Sequence, residues 1–191
     1  YLTEYAKRGN KVVEVIRLAA ETLSGIPSIV YGLFGMLFFV TALQWKNSIL
    51  AGSCTLAIMV LPLIIRSTEE ALKSVPDSYR EASFGLGAGK LRTVVRVVLP
   101  PAMPGIVAGV ILAVGRIVGE TAALIYTAGT VAKITANPME SARTLAVHMY
   151  ALSSEGLHTS EAFATGVVLL LVVLMLNATS NAIAKRITKG K

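Results

Sequence analysis

Charged side chains are scarce in this sequence of 191 residues, at 15% of the chain, whereas hydrophobic residues make up 54% and the mean hydropathy is +0.66. A soluble domain contains about 25% charged residues. The apolar residues form long uncharged runs that no soluble fold of this length could bury. This distribution also argues against nucleic acid as the partner behind the net charge of +7. The composition therefore predicts a membrane protein.

Residues that could hold a metal or cofactor are also scarce. The one cysteine, Cys54, excludes an intramolecular disulfide and a cysteine-based metal site. The two histidines, His148 and His158, are ten residues apart and lack the spacing of metal ligands. The glycines of 85–90 superficially resemble a phosphate-binding loop, but the flanking residues do not fit that motif. We therefore expect no catalytic residue, no metal and no cofactor on this chain, and no enzyme activity of its own.

Four uncharged runs are long enough to cross a bilayer, because a helix of about 20 residues spans roughly 30 Å of hydrocarbon. We predict transmembrane helices at 24–45, 48–66, 102–128 and 162–184. The ten-residue alternation of a membrane β-barrel is absent from the sequence. The predicted fold class is an all-α, polytopic transmembrane helix bundle, with residues 1–191 forming one membrane domain.

The basic residues predict the orientation of this bundle, because cytoplasmic loops are enriched in Lys and Arg. Only Lys46, Lys133 and Arg143 fall on the opposite side, and Arg116 lies inside the third predicted span. We therefore expect both ends of the chain and the loop 67–100 to be cytoplasmic. The fourteen basic residues on that side are Lys7, Arg8, Lys11, Arg17, Arg66, Lys73, Arg80, Lys90, Arg92, Arg96, Lys185, Arg186, Lys189 and Lys191.

The loop 67–100 has the pattern of an ordered element. Ser67–Glu70 and Ser78–Glu81 both have the sequence of a capping box. We predict a short helix at 78–86, a glycine-containing break, and a second amphipathic helix at 90–98, before prolines open the third span. Such a helix pair could dock another protein, or it could lie flat on an anionic membrane surface.

A family motif separates these alternatives. Glu81-Ala82-Ser83, then Gly87, then Val97-Val-Leu99-Pro100 resembles the EAA loop of ABC-importer permeases, with Ser83 and Val97 as conservative departures. In that family the loop forms the coupling helix that docks on a cytoplasmic ATPase. The resemblance implies that Glu81, Ala82, Gly87, Leu99 and Pro100 couple this chain to such an ATPase dimer, which would carry the ATP and Mg.

Three further segments resemble the phosphate-uptake permeases of PstA type, which have a MetI-like transmembrane domain of the type I importers. These segments are Gly25–Gly35, Gly115-Arg-Ile-Val-Gly-Glu-Thr121 and Leu145–Tyr150. Such permeases have six spans, so we expect two more before Tyr1. The resemblance implies a bacterial or archaeal inner membrane, a second homologous permease subunit and an extracytoplasmic phosphate-binding protein. Molybdate, sulfate or a phosphonate remain alternative substrates, and an ion-coupled transporter or channel is the alternative from another class.

Two charged residues, Arg116 and Glu120, lie within the third predicted span. Intramembrane charges cost at least about 2.5–3.5 kcal/mol each, so we expect both to face the bundle interior. Four residues apart on one helix, they would share a face and could pair. They could form a structural ion pair, or Arg116 could bind a passing oxyanion, with Glu120 holding it otherwise and the Thr121 hydroxyl assisting.

Small residues recur every four positions in the third predicted span. One such stripe is Gly105, Gly109 and Ala113, and the second is Gly115, Gly119 and Ala123. Small residues at this spacing allow another helix to approach closely. We therefore expect the third span to be central in the bundle.

Overall fold

The computed structural model describes residues 2–6, 9–156 and 158–189, and the side chains of 155 and 185–189 are outside this description. Lys7, Arg8 and Lys191 of the predicted cytoplasmic set therefore lie outside the described residues. In the described ranges the chain is helical and contains no strand. The helices are α1 (Lys11–Ser24), α2 (Ser28–Ala42, with a π-helical part Met36–Ala42), α3 (Ile49–Lys73), α4 (Asp77–Gly85), α5 (Lys90–Val118), α6 (Ala122–Thr127), α7 (Leu145–Glu155) and α8 (Thr159–Lys189).

Three of these helices are long and apolar enough to cross a membrane, namely α3, α5 and the part Thr159–Ala184 of α8. The predicted first span corresponds to α2, which reaches the required length only when it is taken together with α1 as one broken span. The all-α, polytopic fold class is thus confirmed. The predicted ends need correction, because α3 continues to Lys73 instead of ending at 66, and α5 ends at Val118 instead of 128.

The predicted separate helix at 90–98 is wrong, because α5 runs from Lys90 into the third span without a break. A π-helical segment, Val94–Val98, immediately precedes Pro100 and Pro101, and the N–H of Leu99 donates to the carbonyl of Val94. Proline rings cannot donate and crowd the preceding turn of a normal helix. The wider π turn accommodates both prolines, so the helix continues through them.

The chain divides into two compact units. The first contains Tyr1–Ser24, Pro62–Ala113 and Thr179–Lys191, and the second contains Gly25–Leu61 and Val114–Ala178. In the first unit, Ala71 and Val75 pack with Val98 and Ala102 in a small apolar core. A Cβ added to Gly105 would lie 2.8 Å from the Cβ of Ala71. The end of α3 and the start of α5 are therefore in close contact.

The predicted stripe of Gly105, Gly109 and Ala113 is confirmed as a packing surface. Gly109 lies against Ser67 of α3, and Ala113 is 2% exposed. The second predicted stripe is wrong, because α5 ends at Val118 and no described atom lies within 4 Å of a Cβ added at Gly119.

In the second unit, α2 packs on the short helix α6 through glycine. A Cβ added at Gly32 would lie 2.8 Å from the Cα of Ala123 and 3.1 Å from the carbonyl oxygen of Ala122. Gly35 lies against the side chains of Thr55 and Thr127, both fully buried. The hydroxyl groups of these threonines donate to carbonyl oxygens of their own helices at 2.8 Å. The close approach of α2 and α6 holds the segment that contains Glu120 and Thr121.

Candidate functional site

The EAA segment folds as a helix that ends in a glycine turn. The N–H of Gly87 donates to the carbonyl of Phe84 at 2.9 Å, and the N–H of Ala88 donates to that of Ser83 at 3.1 Å. This pair of bonds is the Schellman motif, which requires a left-handed residue after the helix. Gly87 has φ +78°, and no described atom lies within 4 Å of a Cβ placed there. The motif glycine is therefore needed for its backbone conformation, and its surface faces open space.

The predicted capping boxes are not formed. Ser67 lies inside α3, where its hydroxyl donates to the carbonyl of Ile64. In α4 the N-cap residue is Pro76, with no side-chain capping bond, so Ser78 is already helical. A Ser three residues before a Glu also fits the interior of a helix, where the hydroxyl can bond the preceding turn.

Ser83, the departure from alanine in the EAA pattern, has a structural partner. Its hydroxyl is buried and lies 2.8 Å from the hydroxyl of Thr93 in α5. Thr93 is 1% exposed. Because two buried hydroxyls satisfy each other here, this bond fastens α4 to the beginning of α5.

The opposite face of α4 is open. Glu81 and Ala82 are exposed, and the Glu81 carboxylate has neither an ion-pair nor a hydrogen-bond partner among the described residues. Leu86 at the turn is 90% exposed, and Phe84 and Leu91 are exposed beside it. Leu99 and Pro100, the end of the motif, are half-buried in α5. An exposed apolar cluster of this kind is typical of protein-docking surfaces.

A half-buried arginine that the sequence patterns did not identify connects α4 to its surroundings. Arg80 donates to both carboxylate oxygens of Glu4, from Nη2 at 2.7 Å and from Nε at 3.1 Å. It also donates to the carbonyls of Leu72 at 2.9 Å and Val75 at 2.8 Å, and it contacts Asp77 at 3.2 Å. The hydrogen bond with Glu4 is the main cause of a raised pKa of Arg80. No motif in the sequence pointed to this residue.

The second candidate region is the break between α5 and α6. Glu120 is 8% exposed, and its Oε1 accepts the N–H of Ala123 at 3.1 Å. This N–H is one of the unsatisfied donors at the beginning of α6, so the carboxylate completes the end of that helix. Thr121 is the N-cap residue of α6, and its hydroxyl lies 3.5 Å from the carbonyl of Gly119.

The structure corrects the predicted pairing of the two intramembrane charges. Because α5 ends at Val118, Arg116 and Glu120 are not on one helix, and they form no ion pair in the described part of the chain. Arg116 lies in the last turn of α5 and is exposed, near enough to Tyr31 for an electrostatic interaction. The break thus separates an exposed cation from a buried carboxylate that has a structural partner.

Comparison with known proteins gives a consistent result. Residues 2–190 match the family described as "Binding-protein-dependent transport system inner membrane component". The chain is 39% identical to the probable ABC transporter permease protein YqgI of Bacillus subtilis, covering 99% of this chain and 69% of that protein. It is 42% identical over 129 residues to the phosphate transport system permease protein PstA of Mycobacterium leprae, covering 68% of this chain. The chain spans only 42% of that PstA protein's length.

Solved structures show the same fold. The MetNI methionine ABC transporter matches with a TM-score of 0.78 and 21% identity, over 99% of this chain and 82% of that chain. A bacterial ABC transporter involved in the import of alginate matches with a TM-score of 0.70 and 16% identity, over 98% and 71%. The family match covers nearly the whole sequence. The chain therefore belongs to the binding-protein-dependent inner membrane components, the membrane-spanning permeases of ABC importers.

Proposed function

We propose that this chain is a permease subunit of an ATP-driven importer of inorganic phosphate. The observation that supports phosphate as the substrate is the 41–46% identity to several phosphate transport permeases of PstA type. The exposed guanidinium of Arg116 supports it, since Arg116 is the only basic residue in the sequence between Arg96 and Lys133. A guanidinium stays charged and offers two parallel donors to a tetrahedral oxyanion.

In this proposal Arg116 binds the passing anion, and Glu120 and Thr121 hold the break in position. Glu120 accepts a backbone N–H of α6, so its carboxylate is already engaged and leaves Arg116 free to bind an anion. A negative carboxylate near the path also disfavours tight anion binding, which suits transient passage. Thr121 contributes a hydroxyl at the same break.

The surface of α4 docks on the ATPase. The supporting features are the exposed Glu81, the exposed Ala82 and the apolar group around Leu86. The left-handed Gly87 ends this surface, and Leu99 and Pro100, the end of the motif, lie half-buried in α5. The ATPase dimer supplies ATP and Mg on the cytoplasmic side, with both ends of this chain on that side according to the distribution of basic residues. A second permease subunit and an extracytoplasmic phosphate-binding protein complete the transporter.

The test uses the full-length permease assembled with its ATPase and binding protein in proteoliposomes. We expect ATP-dependent uptake of labelled phosphate that an excess of sulfate, molybdate or a phosphonate does not suppress. Arg116→Gln should abolish uptake, while ATP hydrolysis stimulated by the binding protein continues. Glu120→Gln should mainly lower membrane abundance, because an amide is a weaker acceptor for the N–H of Ala123.

The double variant Arg116→Gln/Glu120→Gln separates the pathway from structure. Recovery of both abundance and uptake in the double variant would mean that Arg116 only balances the charge of Glu120. If another oxyanion suppresses uptake of labelled phosphate, that oxyanion would replace phosphate as the proposed substrate. If the permease alone carries phosphate under a proton gradient, the protein is an ion-coupled transporter and not an ATP-driven importer.

A further inference from the structure

The linker between α3 and α4 is short and contains a natural break. Residues 74–76 connect the two helices, and Pro76 is the N-cap residue of α4. A proline at this position ends the hydrogen-bond pattern of the preceding helix, so the linker could bend when α4 is pushed. Motion of α4 would then be absorbed in the linker without reaching α3.

The side chain of Arg80 bridges this linker with hydrogen bonds. Its two Nη atoms donate to the carbonyl of Leu72, in the last turn of α3, and to the carbonyl of Val75, in the linker. The Leu72 carbonyl accepts the N–H of Val75 only at 3.4 Å, because Pro76, four residues on, has no N–H to donate, so Arg80 supplies its shorter hydrogen bond. One side chain of α4 therefore binds both the end of α3 and the linker.

Glu4 fixes the position of the Arg80 guanidinium. The pair is bidentate, and the two side chains are only 14% and 9% exposed. A partly buried bidentate pair is screened less by salt than an exposed one, and it restricts the guanidinium to one plane. The segment before α1 thereby takes part in holding α4, whereas the bond between Ser83 and Thr93 holds α4 to α5.

We propose that Arg80 is the positioning residue that transmits the motion of α4 to α3, with Glu4 holding its guanidinium. This role rests on the proposed function of α4 as the ATPase-docking helix. Its side chain is turned away from the docking surface into hydrogen bonds with the end of α3, the linker and Glu4. Its loss should separate ATP hydrolysis from transport without preventing docking.

The experiment measures phosphate transported per ATP hydrolysed by the full-length permease in the assembled transporter. Arg80→Ala removes all the bonds, Arg80→Lys keeps the charge but loses the fork, and Glu4→Gln weakens only the pair. A nitroxide label at Ser78, in a background with Cys54 replaced by serine, reports the mobility of α4. Arg66→Ala is the matched control, because Arg66 forms a solvent-exposed pair with Glu70 on α3.

We expect the ratio of transport to hydrolysis to fall on the order of tenfold in Arg80→Ala. This is the factor that the loss of even one charge-assisted hydrogen bond would produce. The ratio should fall less in Arg80→Lys and least in Glu4→Gln, and label mobility should rise in the same order. Arg66→Ala should match the wild type. If Arg80→Ala does not reach the membrane, the other two variants decide the result.

A wild-type ratio and wild-type mobility in Arg80→Lys and Glu4→Gln would overturn the role of Arg80. Failure of the proposed function gives a different result. If Gly87→Asp and Glu81→Lys also leave transport and hydrolysis unchanged, α4 does not dock the ATPase. If those two variants uncouple transport and the Arg80 and Glu4 variants do not, only the inference about Arg80 fails.

Discussion

Replacement of Gly87 tests whether the coupling turn depends on backbone conformation. Gly87 has φ +78°, and a Cβ there meets no described atom, so the cost of Gly87→Ala comes from the left-handed conformation alone. That cost is about 1–2 kcal/mol for an L-residue. A free-energy change of this size raises the population of the opened turn roughly 5–30-fold. We expect Gly87→Ala to lower phosphate transported per ATP hydrolysed while the complex stays assembled.

Two neighbouring glycines provide matched controls. Gly85 is the last residue of α4 and Gly89 is the extended N-cap residue of α5, and neither has a described atom within 4 Å of an added Cβ. Gly85→Ala and Gly89→Ala should leave coupling unchanged, because neither glycine has a positive φ. Gly87→Asn should retain most of the coupling, since Asn tolerates the left-handed conformation.

The two Gly87 variants also show which results would contradict a conformational requirement at this position. Equal coupling in Gly87→Ala and wild type would show that the Schellman turn does not limit transmission. Equal loss in Gly87→Asn and Gly87→Ala would show that the ATPase excludes any side chain at this point, so contact and not conformation sets the requirement. The measurement is uptake of labelled phosphate and release of phosphate from ATP in the same proteoliposomes.

Three further outcomes are expected. Glu81→Lys should reduce co-purification of the ATPase, whereas Glu70→Lys on α3 should not; equal capture in both would remove Glu81 from the interface. Gly32→Ala should destabilise the permease by about 1–3 kcal/mol, because the added Cβ meets backbone atoms of α6. Each kcal/mol lowers the Tm by about 2–4 °C, whereas Gly119→Ala should leave the Tm unchanged because an added Cβ there meets no described atom. The hydrogen bond from Lys133 lowers the pKa of Glu140 below its ordinary value of 4.5. Protection of residues 133–140 from hydrogen exchange should therefore persist below pH 4.5 and fade as the pH drops through the lowered pKa. Loss of protection that begins above pH 4.5 would contradict this.

The sequence predicted the apolar spans and the EAA turn because both depend on local composition. Uncharged runs mark spans through hydration energy alone, and the glycine of the motif corresponds to a left-handed residue that few other side chains tolerate. The break at 119–121 could not be predicted in the same way. In a run that is apolar on all faces, hydrophobic residues do not recur with the roughly 3.6-residue period of an amphipathic helix. The hydropathy therefore stays high through a position where the helix ends, and no change in pattern marks that end.

The prolines after Val98 were misleading for a related reason. Pro100 and Pro101 normally mark the start of a helix, so they suggested a boundary before the third span. The π turn at Val94–Val98 removes the clash and lets α5 continue. A π turn has no sequence signature of its own, because it differs from an α-helical turn by one inserted residue and not by composition.

The outward-facing and the inward-facing residues of α4 and its glycine turn have different tasks. Glu81, Ala82 and Gly87 face outward or shape the turn, and a partner protein would contact them directly. Ser83 and Arg80 face inward, where each depends on a residue distant in sequence, namely Thr93 and Glu4. A docking helix that is not fastened on its inner face would move without moving the spans. The proposed coupling function therefore requires both sets. The sequence motif includes Ser83 without indicating its partner Thr93, and it does not include Arg80.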